Sequence, residues 1–142
     1  MALFQAARSS GRSAWEKAAL ETLDRSIRRP PATSGILDAE LCHGAAGLAH
    51  IYNRAYQATG SESLRDAACT WFGRALEMRV PGQGVGGYSC FDLDSHGKYV
   101  LVDHPGFLTG AAGIGLALLA AILPVQPAWD RILLLSGPSD SL

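Results

Sequence analysis

Apolar residues recur at helical spacing in four stretches of this chain. In the first, Trp15, Ala19, Leu20, Leu23 and Ile27 share one helix face, and Glu16, Lys17, Glu21, Asp24 and Arg28 share the other. Ser13 and Glu16 have the spacing of a capping box, and Pro30-Pro31 ends the helix. The second stretch, about 44–58, aligns Ala45, Leu48, Ala49, Tyr52, Ala55 and Tyr56, carries Arg54 as its one charged residue, and stops at Thr59-Gly60-Ser61. The third, about 64–79 with Ser63 as its cap, has Leu64, Ala67, Ala68, Trp71, Phe72, Ala75 and Leu76 on a wide apolar stripe to which Cys69 is assigned. Arg65, Asp66, Arg74 and Glu77 cover its far side. The fourth, about 110–123, is apolar on nearly every face and calls for burial all round.

Amphipathic helices therefore alternate with apolar ones, in the order outer, inner, outer, inner. A chain of such pairs buries its apolar members centrally, and the fold class expected is all-α, a partial α/α toroid. Between the third and fourth helices, residues 80–106 are rich in glycine, and 88–93 with 98–102 could pair as one short β-hairpin around Asp94-Ser95-His96-Gly97. Residues 1–12 are small and polar and are expected to form a disordered N-terminal tail; 137–142 are expected to be a tail as well. Trp129 to Leu135 is a final apolar segment.

At 142 residues, 48% hydrophobic and 18% charged, the chain is globular and long enough for a core of its own. A net charge of −1 gives no electrostatic reason to expect a nucleic acid or an anionic lipid as partner. Residues 105–129 are uncharged, but Pro105, Pro124 and Pro127 restrict the continuous helix to less than the roughly 20 residues a membrane span needs. Three cysteines at irregular spacing (Cys42, Cys69 and Cys90) are not a disulfide framework and suit a reducing, cytoplasmic compartment.

The chemistry concentrates in Leu41-Cys42-His43-Gly44-Ala45-Ala46-Gly47-Leu48. A thiol and an imidazole stand side by side before a Gly-x-x-Gly that opens an inner helix. Its glycines allow backbones to approach closely. The same Gly-Ala-Ala-Gly returns 66 residues later (44 to 110) as Leu108-Thr109-Gly110-Ala111-Ala112-Gly113-Ile114, without the Cys-His pair. The helix start favours thiolate, and thiolate plus imidazole selects zinc among common metals. Cys42 and His43 are the candidate metal ligands. Cys90 is a candidate third ligand or a plain loop thiol. Asp103 and His104, just before the second repeat, are candidates for a substrate channel, with His104 a further candidate ligand, or for orienting the turn. His50 reads as a surface or packed histidine.

Leu-Cys-His-Gly-Ala-Ala-Gly-Leu at 41–48 resembles the zinc motif of the lanthionine synthetase C-like family, the lanthipeptide cyclases. Residues 107–119 look like that family's final inner helix, and Trp129-Asp130-Arg131 with the four residues after it looks like its C-terminal ending. The resemblance makes 13–136 the C-terminal part of such a toroid. It implies zinc held by Cys42, His43 and a further cysteine from an upstream Trp-Cys motif that has no counterpart here, since Trp71 precedes Phe72-Gly73. It also implies addition of a cysteine thiol to dehydroalanine or dehydrobutyrine, giving thioether rings. The partners implied are a dehydrated precursor peptide and the missing N-terminal part of the toroid, or a complete cyclase or dehydratase. Two other functions remain open at this point: an inactive toroid segment that binds a partner, and a relative that adds glutathione to dehydroamino acids.

Overall fold

The computed structural model describes residues 1–136, so the expected tail at 137–142 lies outside the described residues. Five α-helices are described, α1 (Ala2–Ser10), α2 (Ser13–Ile27), α3 (Ala45–Thr59), α4 (Glu62–Glu77) and α5 (Ala111–Ile122), with 3-10 turns at Pro31–Thr33 and Ala128–Leu133. One antiparallel hairpin, β1 (Cys90–Leu93) and β2 (Tyr99–Val102), pairs Cys90 with Val102 and Leu93 with Tyr99. The all-α expectation with one short hairpin holds. Asp94 closes the hairpin turn, its Oδ1 accepting the N–H groups of His96 (2.8 Å) and Lys98 (2.9 Å).

The expected inner helices α3 and α5 pack on each other, and the expected outer ones, α2 and α4, also touch, with α4 against α3. Tyr52, Ala55, Leu64, Ala68, Trp71, Ala75, Ile114 and Ala117 make one buried cluster where α3, α4 and α5 meet. Tyr52 ties the core to α2 by donating to Ser26 Oγ at 2.9 Å.

Several expectations are corrected. Residues 1–12 are not a disordered tail: α1 buries Phe4 and Ala7, and Gln5 Nε2 donates to the carbonyl of Leu135 at 3.0 Å. Ser13 is the first residue of α2 rather than its cap, and no side chain caps that helix, so the capping box is not formed. The helix starts instead behind Arg12, whose guanidinium lies over the exposed Trp15 ring at 4.4 Å. Helix α4 likewise begins before Ser63, behind Ser61. Cys69 is exposed, because the buried stripe of α4 runs through Leu64, Ala68, Trp71 and Ala75 and Cys69 is turned away from it. Helix α5 is not buried all round; it leaves Leu119 and Ile122 open.

Candidate metal site and its repeat

The loop 38–44 folds back beneath the first turn of α3. The amides of Ala45, Ala46 and Gly47, which a helix start leaves without partners, donate to the carbonyls of Asp38 (2.9 Å), Ala39 (3.2 Å) and Glu40 (3.2 Å). This wrap explains both glycines. A Cβ on Gly44 would come within 2.3 Å of the Glu40 nitrogen, and one on Gly47 within 1.9 Å of the Leu41 carbonyl oxygen. The close backbone approach is therefore to the chain's own preceding loop.

The second repeat copies the first. Ala111 N–H donates to His104 O at 3.0 Å and Ala112 N–H to Pro105 O at 3.4 Å. A Cβ on Gly113 would meet Phe107 O at 1.8 Å. Each turn is braced by the side chain at its start: Asp38 Oδ1 accepts the Glu40 N–H at 3.1 Å, and His104 Nδ1 accepts the Gly106 N–H at 3.0 Å. The turns are also joined, since the Cys42 N–H donates to the Leu108 carbonyl at 2.9 Å.

On this scaffold Cys42 and His43 are both exposed, at the last positions before Gly44. His43 Nδ1 is turned onto Oε1 of Glu40, a side chain with 0% of its surface exposed. Apart from that contact neither carboxylate oxygen of Glu40 has a hydrogen-bond partner among the described residues. Among the described residues, potential ligand atoms of Asp38, Glu40 and His43 lie within 4.8 Å of one another, and Cys42 is not part of that group. Asp38 is committed elsewhere, because its Oδ2 accepts the Phe91 N–H at 2.9 Å. Burial raises the Asp38 carboxyl above its ordinary range, against the opposing pull of that N–H and of the His43 charge. A cavity of about 150 Å³ opens beside His43, walled by Leu37, Asp38, Phe91 and Tyr99.

The other candidates sit apart from this contact. Cys90 is buried at the start of β1, where desolvation, with the nearby Asp38 charge, pushes its thiol up to about 11. A thiol so disfavoured as thiolate is a poor ligand. Asp103 is exposed and accepts from Ser89 Oγ at 2.8 Å; exposed His104 is the brace of the second turn.

One polar cluster was invisible from the motif. His50 and Asp130 are both fully buried, with His50 Nε2 at 3.1 Å from Asp130 Oδ2. Arg54, one turn along α3, places Nε at 3.0 Å from the same oxygen, and Ser136 Oγ donates to Oδ1. The His50 ring stacks on Trp129 at 4.8 Å. Burial alone would raise the Asp130 carboxyl, but the hydrogen bonds from His50 and Ser136 and the Arg54 charge outweigh it and hold it below its ordinary value. This cluster fastens the C-terminal 3-10 segment to α3. Its sequence signal was a histidine and an arginine four residues apart on an otherwise apolar helix.

No described helix is long and apolar enough to cross a membrane. No curated protein matches the chain. The family model described as lanthionine synthetase C-like protein matches residues 1–134, and the chain belongs to that family.

Proposed function

We propose that this chain is the zinc-bearing, C-terminal portion of a cytoplasmic lanthipeptide cyclase, with Cys42 and His43 as two of the zinc ligands. The observation that carries this reading is the exposure of both side chains at one turn, within the stretch 41–48 that resembles the family's zinc motif. The donor set suits the ion: a thiol, and an imidazole whose Nδ1 is occupied by Glu40, so that Nε2 is the nitrogen left for a metal. Zinc held there would supply Lewis acidity, favouring the thiolate form of a substrate cysteine at neutral pH.

The chain's own residues do the positioning. The wrapped turn fixes the Cys42 and His43 backbones through the Cys42 N–H to Leu108 and the three amide bonds at the start of α3. Leu37, Phe91 and Tyr99 give the site an apolar flank beside His43 on which a peptide can lie. In the reaction a carbon–sulfur bond forms at the β-carbon of a dehydroalanine or dehydrobutyrine, the C=C π pair moves toward the carbonyl, and the α-carbon then takes a proton. Asp103 and His104 line the substrate channel in this reading, and the proton donor and third ligand come from an upstream segment or a separate subunit. Leu119, Ile122 and Leu123, exposed within one turn at the end of α5, offer an apolar surface for that segment.

Metal analysis of the purified chain tests the assignment. Zinc is expected to be retained by the wild type and lost in Cys42→Ala and in His43→Ala; unchanged stoichiometry in Cys42→Ala refutes it. Supplied with a dehydrated peptide and a complementing upstream segment, the chain is expected to remove free peptide thiols, read by alkylation and mass spectrometry. Glutathione adducts on the peptide would favour the alternative substrate.

A further inference from the structure

We infer that Glu40 is a positioning residue, whose buried carboxylate fixes the ring and the tautomer of His43 so that Nε2 faces the metal. This rests on the zinc reading above. A buried carboxylate is costly unless it is well paired. Glu40 is fully buried, yet among the described residues the one polar contact of its carboxylate is with the Nδ1 of an imidazole whose side chain is 70% exposed.

The fold of the turn does not ask for this side chain. The three amides at the start of α3 use main-chain carbonyls, and the bracing side chain is Asp38. The second repeat is an internal control. At the same offset of 66 residues (44 to 110), Glu40 corresponds to Gly106 and His43 to Thr109. That turn keeps the amide bonds from Ala111 and Ala112 and a side-chain brace from His104, with no carboxylate at all. A carboxylate at the Glu40 position thus accompanies an imidazole at the His43 position, and the repeat, with Gly106 and Thr109, has neither.

A carboxylate on Nδ1 is the arrangement that makes the other imidazole nitrogen a metal ligand. It accepts a hydrogen bond from Nδ1–H, which leaves the lone pair on Nε2, holds the ring plane and raises the basicity of that nitrogen. Loss of such a partner typically weakens metal binding about 10–100-fold.

The test measures zinc affinity of the full chain by competition with a chromophoric chelator, and the absorption spectrum of the cobalt(II)-loaded chain, for wild type, Glu40→Gln and Cys42→Ala. Glu40→Gln is expected to bind zinc about 10–100-fold more weakly and to shift the cobalt bands, with the thermal midpoint of the metal-free chain unchanged. Wild-type affinity and an unshifted cobalt spectrum in Glu40→Gln, alongside loss of zinc in Cys42→Ala, overturn the role of Glu40 and leave the metal assignment standing. Failure of the wild type to hold zinc overturns both. Nitrogen-15 NMR of the metal-free wild type needs no variant: His43 is expected with its proton on Nδ1, and a predominant Nε2–H tautomer overturns the inference.

Discussion

Gly47 and Gly73 both lie inside helices, and replacing each by alanine should move stability in opposite directions. In an unobstructed helix, alanine gains about 1 kcal/mol over glycine, from propensity and from the reduced freedom of the unfolded chain. Nothing lies within 4 Å of a Cβ built on Gly73, and the same holds for Gly115 in α5. At Gly47 that Cβ sits 1.9 Å from the Leu41 carbonyl oxygen and 2.7 Å from its carbon, where ordinary contact begins at 3.4 Å. The obstacle is backbone, so the loop must retreat by about 1.5 Å. A shift of that size breaks the Gly47 N–H bond to Glu40 and its neighbour from Ala46 to Ala39. Two such bonds at about 1 kcal/mol each, plus overpacking of about 1–3 kcal/mol, less the helical gain, leave Gly47→Ala about 2–4 kcal/mol less stable. Gly73→Ala and Gly115→Ala should each be about 0.5–1 kcal/mol more stable. Equilibrium urea unfolding followed by circular dichroism reads both. A Gly47→Ala chain as stable as Gly73→Ala would mean the loop does not wrap beneath α3 as described.

Two further outcomes follow from the buried groups. In the zinc-free native chain at pH 8, a thiol reagent should titrate Cys42 and Cys69 quickly, while Cys90, buried with its thiol pushed up to about 11, appears only on denaturation; fast reaction of Cys90 would contradict its placement. Asp130 is held below its ordinary value of 3.8, so it contributes stability at neutral pH that is lost as the pH falls from about 4 through its lower folded value. Asp130→Asn should cost about 3–5 kcal/mol at pH 7 by removing the buried carboxylate that His50 Nε2 and Arg54 Nε both face, and should flatten the acid end of the pH–stability curve. A variant that still shows the wild-type acid loss would refute the role given to Asp130.

The helices that carry broad apolar stripes were readable from residue order alone, and α3, α4 and α5 begin and end within two residues of their expected bounds. The Gly-Ala-Ala-Gly repeat announced two equivalent turns, though not that each glycine faces its own loop. Helix α1 escaped because Ala, Ser and Gln flank only two apolar anchors, Phe4 and Ala7, and its Gln5 bonds to Leu135 at the far end of the chain. Cys69 was misplaced because a wide stripe does not reveal which edge residue is covered. Glu40 carried no signal, since an acid in a loop reads as solvated. It is buried only because Gly44 lets the loop fold beneath the helix.

The tie between His50 and Asp130 spans 80 residues, and that between Gln5 and Leu135 spans 130. At a synthesis rate of about 5–20 residues per second, the ribosome needs on the order of 4–16 s to make the acid after the imidazole. Through that interval α3 holds a histidine whose buried carboxylate partner has not been made, so the helix cannot be fully enclosed around His50 before Asp130 leaves the exit tunnel. Chains stalled short of residue 130 should therefore be good substrates for chaperones and proteases, and the packing around α3 should mature only once Asp130 has emerged.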